Sequence, residues 1–291
     1  MITPLAIPTA RVSPRPLPPS SLDLLVAAST REGRARHLRD LLTGADADGS
    51  VYLVNPKEVR AMLNHGIDPQ LYLAYRDIIA PRPKTGQPLN GAAGTHAWFA
   101  DLVVYTAANL NDSPELGRSL GHWNTPAQVE IFQCLSGRVL MLHTNIDDDG
   151  RSTMDYHVCR AGDHVVIPFG AWHLTVVLDA PAAVFNVYTD VADLLTGHTS
   201  REAVDSDLKY RVAPAPELTI TRTASKIAVV GSERELTERP LRHGESPSWA
   251  EALLMPSGLA ALYRHAPAAE LARLEEHAAH FGHRPVPATA P

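Results

Sequence analysis

The chain predicts a mainly β protein, an antiparallel sandwich or barrel with helices before it and a C-terminal extension containing helices. Three observations carry that expectation. Between residues 100 and 190 lie seven short segments rich in Val, Ile and aromatics: "ADLVVYTA", "QVEIFQCL", "RVLMLH", "TMDYHVC", "HVVIPF", "HLTVVL" and "AVFNVYTD". Gly, Asn, Asp and Pro punctuate them, as they do in folds of many short strands. Ahead of them, leucines recur at helical spacing, and the stretch beyond residue 216 is mixed.

Taken in order, residues 1–20 are Pro- and Ser-rich and read as a flexible arm. The stretch from Ser21 to about Thr43 reads as a helix, with Ser21 as N-cap and Gly44 as its stop. Residues 55–66, "NPKEVRAMLNHG", read as a shorter helix capped by Asn55, with Pro56 at its first position and Gly66 closing it. "TGQPLNGAAGTH" is a loop, and the seven strand segments follow it. "IDDDGRS", 146–152, is a hairpin turn; Asp147 to Asp149 lack the oxygen-ligand spacing of a calcium loop. "ELTITRTASKIAVVG" adds one or two strands, and "SPSWAEALL" and "PAAELARLEEHAAHFGH" are helical. The expected organisation is an arm (1–20), a β domain with a helical lead-in (21–215), and an extension (216–291) packed on it. That extension ends in a Pro/Ala tail.

Composition excludes several classes of function. Across 291 residues, 45% are hydrophobic and 20% charged, an ordinary globular balance. The formal net charge is −6 and there is no basic block to displace phosphate counterions, so no nucleic-acid partner is expected. Two cysteines, Cys134 and Cys159, fit a reducing compartment. Prolines interrupt every early hydrophobic run, and no apolar run approaches the roughly 18 residues of a membrane span. A cytoplasmic protein without a membrane partner is the expectation, acting on a small-molecule substrate.

The chemistry gathers around "QVEIFQCL". A strand period of two puts Glu130, Phe132 and Cys134 on one face, and Val129, Ile131 and Gln133 on the other. A carboxylate beside Phe and Cys on an interior face is unfavourable unless a cation or hydrogen bonds compensate it. His122 precedes Glu130 across an Asn-Thr-Pro turn, and His173 follows "IPFGAW", where Pro168 and Gly170 turn the chain inward. Two imidazoles and one carboxylate meeting in a dry interior form a divalent metal site for Fe, Mn, Zn or Ni, with positions left open. The bland alternative for each histidine is a hydrogen-bonded core residue.

Asn124 is either a further ligand, through water, or a turn residue. Gln128 shares the strand face of Glu130 and is an outside candidate for another oxygen ligand. Tyr188 lies on the last strand and is a candidate to face the pocket. Cys134 reads as a small hydrophobe. His143, His157 and His164 read as exposed or hydrogen-bonded, and His277, His280 and His283 as a solvated helix face.

These residues carry a resemblance. The first motif of the cupin superfamily runs from a Gly through His-x-His to Glu and a further Gly. Its positions fall here on His122, Asn124, Glu130 and Gly137. The second runs from Gly through Pro-x-Gly to His and Asn, and falls on Gly162, Pro168, Gly170, His173 and, in place of Asn, Val177. Within cupins, the chain is most similar to the cupin-type glucose-6-phosphate isomerases of archaea and some bacteria, over residues 33–195. "RARHLRDL", "VYLVNPKEVRAML" and "PQLYLAYRD" follow in that family's order.

The resemblance implies a cupin (jelly-roll) β-barrel, a homodimer paired through open sheet edges, and metal-dependent aldose–ketose isomerisation of a sugar phosphate. His122, Glu130 and His173 would hold the metal, and Glu130 and His173 would be catalytic. Departures are visible. Asn124 replaces the motif's second histidine, and Phe132 replaces a tyrosine. The phosphate-contact residues before Gly-His are absent from "SPELGRSLGH", where Arg118 supplies a charge. Two other readings stay open: a non-haem Fe(II) oxygenase or related biosynthetic enzyme, whose ligand set is the same, and a non-catalytic ligand-binding cupin.

Overall fold

The structure is a computed structural model that describes residues 1–5, 7, 16–43, 51–84, 95–110, 115–124, 128–147, 149–192, 215–223, 226–254 and 258–279. Its elements, in chain order, are β1 (Ile2–Pro4), α1 (Pro19–Ser29), β2 (Arg34–His37), α2 (Asp40–Thr43), α3 (Pro56–Asn64) and β3 (Gln70–Pro83). There follow β4 (Thr95–Tyr105), β5 (His122–Trp123), β6 (Glu130–Ile146), β7 (Ser152–Arg160), β8 (His164–Ile167) and β9 (Trp172–Ala192). The last are β10 (Leu218–Thr223), β11 (Lys226–Gly231), α4 (Glu233–Glu238), β12 (Leu241–His243), α5 (Ser248–Leu254), α6 (Gly258–His265) and α7 (Ala268–Ala279).

Two long strands organise the barrel. The first residues of β6, Glu130 to Gln133, pair with β8 on one side and with the distal half of β9 on the other. Its later residues, Arg138 to Ile146, pair with β7 and with the proximal half of β9. The register breaks between these halves, from Cys134 to Val139. Gly137 sits at the break with φ +69, where a Cβ would lie 2.5 Å from the carbonyl oxygen of Pro181. Each long strand therefore serves two sheets. Hydrogen bonding runs continuously through nine strands, and the bend divides them into one sheet of β8, β6, β9, β4, β3 and β2 and another of β12, β7, β6, β9 and β5.

Alternation along the strands sorts side chains into layers. Ile131, Phe185 and Val187 face outward from the first sheet and pack with α1, α5, α6 and α7 through Leu24, Leu254, Leu259 and Leu274. Leu140, Leu142, Leu174 and Val176 face outward from the second sheet and are covered by the β10–β11 hairpin through Leu218, Ile220 and Val229. Between the sheets lie Phe132, Cys134, Met141, Cys159, Val165, Ile167 and Val184. Each fully buried side chain of this kind contributes roughly 1.5–3 kcal/mol of transfer free energy. The candidate site is built into that inner layer.

Several elements differ from their sequence-based expectation. The helix expected over 21–43 is α1, then strand β2, then the single turn α2. Helix α1 ends where Ser29 and Thr30 donate their hydroxyls to the carbonyls of Val26 and Ala27. Gly33 then lies against the Tyr75 ring, and β2 enters the sheet with Ala35 opposite Leu73. Pairing of Arg34–His37 with β3 interrupts the helix, which resumes only as the turn α2 that carries Leu41 and Leu42.

The seven strand segments are five strands, because "QVEIFQCL" and "RVLMLH" are one element, as are "HLTVVL" and "AVFNVYTD". Within the expected arm, Ile2–Pro4 pair with β11, and α1 begins at Pro19 behind Pro18. β3, α4, α6 and β12 were not anticipated as elements.

Helix α3 agrees with expectation: Asn55 accepts from the Glu58 N–H, Pro56 leads, and Gly66 follows at φ +75. The 146–152 segment is a turn in which the Asp147 carboxylate accepts from the N–H groups of Asp149 and Arg151. Gly44, residues 85–94 of the expected loop, His280, His283 and the Pro/Ala tail lie outside the described residues. No described helix is long and apolar enough to cross a membrane.

Candidate metal centre

Strand β5 is two residues long, and its pairing sets the site. His122 lies opposite His173, and Trp123 opposite Trp172. The two tryptophans therefore face the outer apolar layer, while the two imidazoles face inward. Their ring centroids are 4.2 Å apart in an edge-on arrangement. Gly121, at φ +76, allows the chain to pass over the Trp172 ring, where a Cβ would sit 2.8 Å from a ring carbon. Pro168 and Gly170 make the second turn: the Ala171 N–H donates to the Pro168 carbonyl, and Ala171 in turn accepts from the Asn124 N–H.

Glu130 arrives from the other sheet as the first residue of β6. Its Oε2 lies 3.5 Å from His173 Nε2 and 4.0 Å from His122 Nε2. One ligand atom from each of the three residues lies within 4.8 Å of the others. Glu130 and His173 are 2% and 3% exposed, whereas the His122 side chain is 24% exposed and forms the open side.

The spacing suits a cation. Bonds of about 2.1 Å place two ligand atoms roughly 3.0 Å apart when cis and about 4.2 Å when trans, and the two observed separations fall within that interval. A carboxylate this deeply buried is stabilised by a shared positive charge, and both imidazoles converge on the same oxygen.

The walls come from neighbouring strands. Phe132 packs on His173 with ring centroids 5.4 Å apart. Asn186, on β9, donates its side-chain N–H to Glu130 Oε1 at 2.9 Å. Tyr188 lies directly opposite Glu130 in the β6–β9 register, and its hydroxyl donates to Asp101 at 2.9 Å. Asp101 is 1% exposed and also accepts from the Arg76 guanidinium and the Asp77 N–H. Among the described residues, Asp77 is the non-glycine residue at positive φ (48), at a break in the β3–β4 register. The irregularity aims its N–H at the carboxylate.

Asn124 shares the strand parity of His122. It is 1% exposed, and neither polar atom of its side chain has a hydrogen-bond partner among the described residues. A buried amide in this state has hydrogen-bonding capacity to offer to a water or a bound group. Gln128, two residues before Glu130, is also buried.

Arg118 departs from its expected place at the substrate. It pairs with Val176 on the outer face, and its guanidinium donates to the carbonyls of Ser119, Tyr52 and Leu218 and to the Thr219 hydroxyl. Burial pushes its pKa down to about 10, against the opposing pull of Glu115. Arg118 ties the β10–β11 hairpin to the barrel. The left-handed step at Gly121 breaks the alternation by which it would have shared a face with His122.

Three other groups complete the inner layer. Cys134 directs its thiol at the carbonyls of Ser136 and Gly137, and burial pushes its pKa up to about 12. His143 and His157 face each other with their Nε2 atoms 3.0 Å apart. His143 Nδ1 lies 3.2 Å from the Thr144 carbonyl and donates to it, so His143 Nε2 accepts and His157 Nε2 donates. Burial holds these rings neutral, with pKa values lowered to about 4 and about 3.

Two long strands bent through the barrel, with His122, Glu130 and His173 turned into the space they enclose, set the architecture. The fold is a cupin-type jelly roll. No family model matches the chain, and no curated protein matches it.

Among solved structures, the chain is similar to an oxalate oxidase in complex with glycolate, at 20% identity and TM-score 0.26 over 32% of this chain and 42% of that one. It is similar to KdgF from Halomonas sp. at 14% identity and TM-score 0.27, covering 43% and 83%. A third is the Schizosaccharomyces pombe Cnp3 cupin domain, at 8% identity and TM-score 0.25, covering 44% and 71%. The match spans less than half of the oxalate oxidase chain. Similarity at this level says nothing of chemistry, which has to be read from the barrel's own residues.

Asn186 and Asp101 are the site residues that sequence reasoning missed. Asn186 had a signal available, since it stands two places before Tyr188 and so shares its face.

Proposed function

We propose that this protein is a metal-dependent cupin enzyme acting on a small polar metabolite. The observation that carries the proposal is the convergence of His122, Glu130 and His173 on one point inside the barrel, with ligand atoms within 4.8 Å. A bound divalent cation would supply Lewis-acid polarisation of a substrate oxygen. The residues supply the rest. His173 packs between Phe132 and His122, and the partly exposed His122 marks the side from which substrate enters. Glu130 Oε1 is held by Asn186, which leaves Oε2 as the ligand atom. Glu130 therefore serves as a ligand rather than as a mobile base. Phe132 and Tyr188 wall the site, and Asn124 offers an amide to a polar substrate.

Two chemistries fit this ligand set. In the first, resembling aldose–ketose isomerisation, a substrate carbonyl and adjacent hydroxyl are polarised together. Arg118 gives no support to a phosphate on that substrate, because its guanidinium is committed to the outer face. In the second, a two-histidine, one-carboxylate set suits Fe(II) and O₂. Asn124 in the motif's second histidine position leaves three strong ligands and so favours this second reading.

Metal analysis of protein purified without chelator, followed by substrate screening, separates them. Mn or Zn with interconversion of an aldose and a ketose supports isomerisation. Fe(II) with substrate-triggered O₂ consumption supports oxygenation. Failure to retain any cation after reconstitution contradicts both and leaves a ligand-binding cupin.

A further inference from the structure

We propose that Asn186 is a positioning residue that holds Glu130 as a one-oxygen ligand. The inference rests on the metal-site reading above and adds a function for a residue outside the ligand set.

Asn186 stands in the middle of β9 between Phe185 and Val187, both fully buried in the outer apolar layer. Asparagine is disfavoured within strands, and an amide 6% exposed in a barrel interior is unfavourable unless it is used. Its use is visible. Register places Asn186 opposite Phe132 and diagonal to Glu130, and its Nδ2 donates to Glu130 Oε1 at 2.9 Å. A carboxylate only accepts, so the amide must present its N–H₂ group there, which fixes its flip. The terminal torsion of a glutamate is otherwise broad.

With Oε1 tied to Asn186, the other oxygen is the one aimed at the imidazoles, 3.5 and 4.0 Å away. Released from that tie, the carboxylate can turn both oxygens toward the cation and occupy a coordination position that a substrate needs. Asn186 thus keeps that position open. Asp101, opposite Asn186 across β4 and β9, accepts instead from Arg76, Tyr188 and the Asp77 N–H.

The test titrates Co(II) into metal-free full-length protein, comparing wild type with Asn186→Leu, which matches the volume, and Asn186→Ala, which adds no clash if leucine disturbs folding. Circular dichroism confirms the fold of each variant. The expected result is affinity weakened by about 10–100-fold, the range for losing a ligand's hydrogen-bonding partner. The visible Co(II) band should also lose intensity as the coordination number rises. Folded variants that bind within threefold of wild type, with an unchanged band, overturn the role of Asn186 while the metal site stands. Wild type that binds no Co(II) overturns the site itself, and this inference with it.

Discussion

Glu130 is a carboxylate 2% exposed, and its compensation comes from three directions: His122, His173 and Asn186. This arrangement separates residues that serve the site from those that serve the fold. Arg118 is of the second kind. Replacing it with leucine should lower the melting temperature, because it leaves the Leu218 and Tyr52 carbonyls and the Thr219 hydroxyl without their donor, at about 1–3 kcal/mol. Co(II) affinity should stay within twofold of wild type; a tenfold loss would return Arg118 to the site. Both thiols are buried with raised pKa values, so native protein should resist a thiol reagent that labels the unfolded chain within minutes. At this scale much of the site was legible. Strand parity and two turns brought Glu130, His122 and His173 together on paper. Asn186 escaped because one asparagine in an apolar strand has no pattern around it. Arg118 was misread because a positive φ at Gly121 interrupts the parity.

The strands β6 and β9 do the architectural work, and their bend is the vulnerable point. At Gly137 an added Cβ would meet the Pro181 and Asp179 carbonyls at 2.5 and 2.6 Å, from a backbone at φ +69. Gly137→Ala should therefore destabilise the protein by about 1–3 kcal/mol or more through both strain and overlap. Urea denaturation measures it, and an unchanged midpoint would show that the bend is not rigid.

Element existence was readable wherever β-branched and aromatic residues clustered between turn formers. Element limits were less so. The run from Ser21 to Thr43 keeps helical leucine spacing through a segment that the sheet claims as β2, and pairing with β3 decides the matter. β12 has no local signal at all. It exists because Arg242 makes a two-pronged ion pair with Asp155 and because Gly244 leaves room for His157.

Across the molecule, a helical layer, two sheets and a hairpin layer enclose a core that contains ionisable groups. His143 and His157 are held neutral, with folded pKa values near 4 and 3. The unfolded chain takes up those protons below about pH 6.5. Their contribution to stability is thus complete above that pH and declines as pH falls toward the folded values. The slope is at most about 1.4 kcal/mol per pH unit for each histidine. Burial raises the Asp155 carboxyl pKa, but hydrogen bonds from Arg242, Asn145 and Thr153 outweigh it and leave it lowered, which adds to the loss at acid pH. Urea midpoints should fall steadily from pH 7 to pH 4.5; a flat profile would contradict the neutral pair.

The layered plan itself followed from hydrophobic alternation, whereas the wrapping of the C-terminal segments around both outer faces depends on contacts distant in sequence. The central claim is most directly tested by Co(II) titration of metal-free wild type, Glu130→Gln and His173→Ala. One equivalent bound by wild type, with at least about a hundredfold loss in each variant, is the expected result. Equal binding by all three would place the cation elsewhere and end the case for this site.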